Sequence, residues 1–407
     1  MSVSYTTRSM ESVLDRAARE FPAVVLTGPR QSGKTTLLKQ VFGKTHTYQS
    51  LEIPDIRTFA TADPRGFLDS YPSPIILDEI QYVPELLPYI KEKIDAERTR
   101  TGQYLLSGSQ NLLLSANVTE SLAGRAAILR LLPLSHRETE GYPQLPLVWE
   151  NVASDTTRTH SSPTNLWENF LRGGYPELVS QPERDIQLWH SSYVQTYLER
   201  DVRMLRNVGD LSQFQNFLHM LAARSSQLLN LTSLARDLGL AVNTIKVWLS
   251  VLEASYQIVI LRPYYANIGK RLVKTPKIYF TDVGTLCYLV GLRDFRHARD
   301  GPLSGAIFET AVLAEIMRTI THSGEVPEVF FWRTVAGTEI DFVVRSRSGL
   351  VPIEVKASAT PRRTMATGIE NFQRDFGNLA KQGFVIHLGN ECLPLSKTVA
   401  AVPFTHI

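Results

Sequence analysis

The run Gly28, Pro29, Arg30, Gln31, Ser32, Gly33, Lys34, Thr35 constrains this chain more than any other stretch of its 407 residues. It follows an apolar segment, AVVLTG (23–28), and leads into the helix-forming TTLLKQVF (35–42). Glycines at both ends of the loop let backbone N–H groups curl around a phosphate, and the helix start adds a favourable dipole. The lysine that follows reaches β- and γ-phosphates, and the hydroxyl after it ligates Mg²⁺. Gly28 through Thr36 therefore read as a P-loop for a nucleoside triphosphate, with Thr35 on the metal. Strand, loop and helix in that order point to an α/β layer.

SPIILDE (73–79) and QYLLSGS (103–109) are two more nearly continuous apolar runs. Strands buried on both faces of a parallel sheet have this character, and helices would cover them. Asp78 and Glu79 close the first run at the carboxyl edge, where open α/β sheets bind ligands. About 45 residues beyond the P-loop, the pair reads as hydrolytic machinery. Asp78 would hold the magnesium, and Glu79 would orient or deprotonate the attacking water. Ser109, or as second choice Gln110, could contact the γ-phosphate or that water; a plain polar strand end is the alternative. Arg125 in LAGR (122–125) is a candidate for stabilising transition-state charge, in cis or from a neighbouring subunit. Its alternative is a surface arginine after a helix-ending glycine.

With 43% hydrophobic and 20% charged residues, the composition is globular, and a net charge of +3 permits nucleic-acid contact without arguing for it. Cys287 and Cys392 are too few for a disulfide framework and read as two buried thiols in a reducing compartment. The opening MSVSYTTRSMESVLDRAAREFP lacks the order of a signal peptide, and no apolar run approaches a membrane span. A soluble cytoplasmic protein is expected, with no membrane partner.

In order, the P-loop, ILDEIQ (76–81), LLSGSQ (105–110), LAGR, PLSHRE (133–138) and GGYPEL (173–178) resemble the predicted AAA+-type ATPases of bacteria and archaea. The resemblance covers nearly the full chain. It implies ATP rather than GTP, places Arg125 in the nucleotide machinery, and implies a homo-oligomer if that arginine acts in trans. Pattern and composition divide the chain into an ATPase domain (1–150), a linker and helical lid (151–222), a winged-helix-like region (223–300) and a C-terminal α/β domain (301–407).

LTSLARDLG (231–239) and VNTIKVWLSVLEAS (242–255) read as two short helices joined at Gly239, a helix-turn-helix with Thr232 as N-cap. Ile245, Leu249 and Leu252 would face inward, leaving Asn243, Thr244, Lys246 and Trp248 outward. QIVILRPY (257–264) and KIYFTDV (277–283) could pair as a wing. Arg262, Lys270, Arg271, Lys274 and Lys277 give the connecting segment five basic residues and no acidic one. That balance suits DNA phosphates; a rigid spacer or protein dock is the other reading.

Near the C-terminus, TEIDFVV (338–344), RSRSG and VPIEVK (351–356) read as a hairpin centred on Arg347 and Ser348. That register sets Asp341 against Glu354 and Glu339 against Lys356 on one face, with Ile340, Phe342, Ile353 and Val355 on the other. Opposed carboxylates repel unless a cation lies between them, which points to Mg²⁺ or Mn²⁺. Glu309, on the helix GAIFETAVLAEIM, is a further candidate ligand, and Lys356 would orient water or neutralise a phosphate. A helical Glu followed by D…ExK resembles the PD-(D/E)xK nuclease fold, although Ile340 stands where that pattern has Pro. A DNA-binding relative without cleavage, or a plain Glu339–Lys356 ion pair, are the alternatives. The leading expectation is a DNA-associated ATPase with a winged helix and a nuclease-like domain. Its rival is a signalling ATPase whose C-terminal domains bind protein or DNA without cleavage.

Overall fold

The computed structural model describes residues 5–109, 121–150, 163–198, 211–264, 273–335 and 337–407. Its first sheet contains β1 (Ala23–Thr27), β2 (Thr47–Ser50), β3 (Ile75–Asp78), β4 (Tyr104–Gly108) and β5 (Ala126–Arg130). All are parallel, in the order β2-β3-β4-β1-β5. Every residue of β1, β3 and β4 is buried, as the apolar runs imply. Helices α1 (Glu11–Glu20) and α2 (Lys34–Phe42) seal one face through Leu14, Leu37 and Leu38. Helices α3 (Pro54–Ala62), α4 (Pro64–Ser70) and α5 (Leu86–Ala96) seal the other through Phe67, Ile90 and Ile94. Because β4 lies between β1 and β3, the polar end of β4 stands between the P-loop and the acidic pair.

The chain then forms a short helix α6 (His136–Thr139), whose N-terminus is closed by reciprocal Ser135 and Glu138 caps. Helices α7 (Pro163–Arg172), α8 (Pro176–Ser180) and α9 (Ile186–Tyr193) follow, with Gly173 at φ +78 turning the chain between the first two. Next come α10 (Leu211–Ala222), α11 (Leu231–Leu238), α12 (Val242–Ala254), and the antiparallel pair β6 (Ile258–Leu261) and β7 (Lys277–Phe280). Leu228 bridges to Lys277 beside them. The N-cap of α11 is Asn230, which accepts the Ser233 N–H; Thr232 lies inside the helix. Trp248 is buried rather than outward, with its ring centroid 5.3 Å from that of Phe214 and 5.2 Å from that of Phe217 on α10. An indole on this face buries more apolar area against those rings than it could against water.

Helices α13 (Val283–Leu289), α14 (Phe295–Asp300) and α15 (Ser304–His322) lead into a second sheet. It holds β8 (Val329–Arg333), β9 (Glu339–Ser346), β10 (Gly349–Lys356), β11 (Gly383–His387), β12 (Leu393–Pro394) and β13 (Val399–Pro403). The order is β12-β13-β11-β10-β9-β8; β8, β9 and β10 are antiparallel neighbours, and β11 runs parallel to β10. Helix α16 (Thr367–Phe376) connects β10 to β11 and packs with Trp332, Ile340 and Val343. The opposite face joins α15 and the middle helices in one core that runs from Leu147 to Ile407.

The hairpin register is the expected one, with Ile353 opposite Phe342 and Gly349 opposite Ser346. The simple alternation is not. Trp332 pairs with Ile340 while Phe330 pairs with Val343, so Asp341 and Phe342 together stand opposite Phe331. This bulge shifts the pleat by one residue. Ile340 packs on the α16 side, and Phe342 packs with Ile353 in the other core.

Candidate functional site

Where β1 ends, Gly28 adopts φ +148, and a Cβ there would lie 2.1 Å from the Leu131 carbonyl oxygen. The loop can hug the sheet only because that atom is missing. Gly33 at φ +92 caps α2, and Gln31 at φ +60 is strained between them. Lys34 Nζ donates to the carbonyls of Gly28 at 3.1 Å and Pro29 at 2.8 Å. From outside the loop, the buried Arg8 holds Ser32 O at 3.0 Å and Leu132 O at 2.7 Å.

Thr35 Oγ1 donates to Asp78 at 2.9 and 3.0 Å, Tyr48 OH donates to the same carboxylate at 2.8 Å, and Ser107 Oγ also donates to it. Burial and the Asp78 charge push the Tyr48 pKa up, so its hydroxyl stays a donor. Glu79 sits in the left-handed region at φ 58, a conformation that costs about 1–3 kcal/mol for a non-glycine residue and clusters at functional sites. Its carboxylate accepts from Ser109 Oγ at 3.2 Å and from the Gln81 amide. The structure thus brings together Lys34, Thr35, Asp78, Glu79 and Ser109. Gln110 lies outside the described residues. Tyr48, Ser107, Gln81 and Arg8 are additions. Ser107 and Gln81 stood in the motif stretches LLSGSQ and ILDEIQ; Tyr48 had no sequence signal.

A cavity of about 540 Å³ opens over the P-loop, lined by Gly33, Lys34, Thr35, Thr36 and Glu79 together with Tyr5, Thr6, Arg8, Leu134, Pro176, Glu177, Ser180 and Gln181. Sites for cofactor-sized ligands span roughly 300–1,000 Å³. Thr35 Oγ1 and the Asp78 carboxylate are hard oxygen donors that fit Mg²⁺.

Arg125 is elsewhere. Its carbonyl accepts the Ala23 N–H, which puts it at the amino edge of the sheet, whereas the P-loop leaves the carboxyl edge of β1. Those edges are roughly 16 Å apart at the usual rise per strand residue. Its guanidinium grips Asp95 through Nε at 2.6 Å and NH2 at 3.0 Å. The cis alternative fails on this geometry.

The acidic cleft of the second sheet gathers Glu309, Glu339, Asp341 and Glu354 with Lys277, Arg333 and Lys356. Lys277 Nζ lies 2.6 Å from Glu339 and 3.2 Å from Glu309, and Tyr279 OH donates to Glu309 at 2.5 Å. Lys356 pairs with Glu354 at 2.7 Å, so the expected Glu339–Lys356 contact is replaced by Glu339–Lys277 and Glu339–Arg333. Asp341 Oδ2 accepts the Val355 N–H at 2.8 Å. Burial and the neighbouring Asp341 charge raise the pKa of Glu309 to about 7 and of Glu354 to about 8. Among the described residues, no three His, Cys, Asp or Glu side chains converge to hold a metal ion. As placed, Glu309, Asp341 and Glu354 do not fit one.

Along α12 and the segment before β7, Asn243 and Lys246 are exposed, Thr244 is half-buried, and Lys274 is exposed. Lys270 and Arg271 lie outside the described residues. Lys277, counted with the basic segment, is buried in the acidic cleft against Glu309 and Glu339. Cys287 is buried, but Cys392 is exposed, against expectation. Among the described residues, no helix is long and apolar enough to cross a membrane.

Residues 20–140 match a family model described as an AAA domain. Residues 163–296 and 304–407 match models described as domains of unknown function, DUF8612 and DUF4143. Over 404 residues the chain is 31% identical to the uncharacterized protein Rv2008c of Mycobacterium tuberculosis, covering 98% of this chain and 84% of that one. The uncharacterized protein Mb2031c of Mycobacterium bovis matches with the same identity and shares. The chain belongs to their family. Within this member, the first sheet and its P-loop form an AAA-type ATPase domain, a type that implies nucleotide and Mg²⁺ use. Solved structures similar to the chain include the Walker-type ATPase PABY2304 of Pyrococcus abyssi, 17% identical, with TM-score 0.40 over 70% of this chain and 96% of that one. The RuvB Holliday junction branch migration motor of Thermotoga maritima is 18% identical, with TM-score 0.27 over 62% and 86%. Both scores are too low for the overlays to bear on chemistry here.

Proposed function

We propose that this chain hydrolyses ATP and couples the turnover to DNA, working as an oligomer in which Arg125 serves a neighbour's site. The observation that carries the hydrolytic part is the joined set of Thr35, Asp78 and Glu79, with Glu79 held by Ser109 and Gln81. Thr35 and Asp78 would hold the Mg²⁺, which when bound neutralises phosphate charge. Lys34 turns from the loop carbonyls to the β- and γ-phosphates. Glu79 takes a proton from water as the water oxygen attacks the γ-phosphorus. The bond to the β–γ bridging oxygen breaks, leaving ADP and phosphate.

The order α10, bridge, α11, α12, β6, β7 supports a winged-helix reading. Asn243, Lys246 and Lys274 are its exposed candidates for DNA, with Thr244 beside them. The order α15, β8, β9, β10, α16, β11 in a mixed sheet supports a nuclease-like fold. Since its carboxylates are paired internally, we read it as holding DNA without cutting in this state. Burial of Lys277 shrinks the basic surface and favours the rival reading, a signalling ATPase that docks protein.

ATP turnover measured with and without single-stranded, duplex and branched DNA, scoring strand scission with Mg²⁺ or Mn²⁺ in the same reactions, tests these points. Lys34→Ala should abolish turnover; turnover that survives it refutes the hydrolytic reading. Turnover indifferent to every DNA favours the rival. Scission lost on Asp341→Ala would restore an active nuclease.

A further inference from the structure

We infer that Lys277 is a built-in cation that locks the acidic cleft of the second sheet against divalent metal. This rests on the nuclease-like reading, which supplies the reason to expect a metal there.

The lysine side chain is only 5% exposed, yet it belongs to neither strand of the acidic hairpin. It projects from β7, which pairs with β6 and lies beside Leu228. Its ammonium takes the place between Glu309 and Glu339, at 3.2 and 2.6 Å. Asp341 lines the same cleft, so the ammonium stands among three carboxylates. A divalent ion would need several oxygens at about 2.0–2.6 Å around it. It could not share these carboxylates with a fixed ammonium a few ångströms away, because like charges at that range in a poorly solvated cleft repel by several kcal/mol.

The remaining groups reinforce the lock. One oxygen of Asp341 is committed to the Val355 N–H, and Glu354 is committed to Lys356. Tyr279, two residues along β7, donates to Glu309 from the same strand. Among the described residues, both hydrogen bonds that hold Glu309 therefore come from β7. Displacing β7 would remove the ammonium and the phenol together and leave Glu309 uncompensated, while Glu339 would keep Arg333 and Glu354 would keep Lys356. The cleft's competence for metal is accordingly set by an element outside its own sheet.

Mn²⁺ binding to the full, nucleotide-free chain, followed by electron paramagnetic resonance, tests the lock. The variants are Lys277→Met, Asp341→Asn and the double substitution, with folding checked by circular dichroism. Native protein should show no Asp341-dependent Mn²⁺. Lys277→Met should gain one ion per chain with affinity raised on the order of 10- to 100-fold, the range over which neighbours tune a metal site. The double substitution should lose it. If Lys277→Met fails to fold, Lys277→Gln keeps a donor towards Glu309 and replaces it. Native protein that binds Mn²⁺ as tightly as the Lys277 variant, through Asp341, overturns the lock and leaves the nuclease-like reading standing. A folded Lys277 variant that gains no Mn²⁺ overturns both.

Discussion

The Thr35 hydroxyl donates to both oxygens of Asp78, at 3.0 and 2.9 Å, across 43 residues of chain. It joins the phosphate loop to the strand that carries the acidic pair. Thr35 reaches this position from the first turn of α2 and Asp78 from the end of β3, with Ser107 of β4 bonding the carboxylate from between. The two groups suited to share a magnesium are thus one hydrogen bond apart.

Glu79 adjoins this pair and should act on the water rather than on binding. Glu79→Gln is expected to lower ATP turnover by roughly 10²–10⁴-fold. Affinity for a fluorescent ATP analogue should stay within about threefold, an effect under 1 kcal/mol. Equal losses in both would mean that Glu79 serves binding alone.

Arg125 lies at the wrong edge of the sheet for its own nucleotide and should act in trans. Arg125→Ala should reduce turnover about 10³-fold or more. Mixing Arg125→Ala with Glu79→Gln subunits should restore activity, because each supplies what the other lacks. Mixtures no more active than their parts would rule this out.

Gly28 leaves no room for a side chain. Gly28→Ala must move the backbone that carries Leu131 O, which a Cβ would approach to 2.1 Å. A loss of about 2–3 kcal/mol in urea unfolding is expected, together with weaker ATP binding. Unchanged stability would show that the loop relaxes freely.

Glu138 is buried with Arg8 Nε at 3.1 Å and His322 Nδ1 at 3.2 Å. Burial works to raise its pKa, but Arg8, His322 and the Ser135 N–H outweigh it and hold it well below the usual carboxylate range. A depressed folded pKa contributes stability above the unfolded value, near 4.5, and loses it as pH falls further. Denaturation followed from pH 7 to 3 should show a steep acid loss that Glu138→Gln flattens. The same substitution should cost about 3–5 kcal/mol at pH 7, because Arg8 is left buried without its partner. A parallel pH profile in the variant would assign the acid sensitivity elsewhere.

Trp248 and Lys246 separate packing from contact. Trp248→Ala should destabilise by about 3–5 kcal/mol. Lys246→Ala should leave stability within about 0.5 kcal/mol and weaken binding of a labelled duplex, more so at low salt. Unaltered duplex binding by Lys246→Ala would favour a protein partner for α12.

By itself the sequence determined the P-loop, the acidic pair, the three central strands and the hairpin register. Each is a local property: the loop is contiguous, β1, β3 and β4 are buried on both faces and so are apolar throughout, and a short turn sets its hairpin. The edge strands β2 and β5 were not legible, because TYQS and AAILR are partly exposed and carry no continuous apolar signal. Tertiary structure alone decided which charges meet. Lys277 looks like a member of a basic segment until β7 is laid against α15 and β9, and Trp248 looks outward until α10 covers it. Arg125 could face its own nucleotide until the parallel order of the sheet puts it at the edge opposite the P-loop. Pairing energies depend on distances of a few ångströms between residues far apart in the chain, and local pattern holds no record of them. The P-loop needed only its neighbours in sequence; the acidic cleft needed the whole fold.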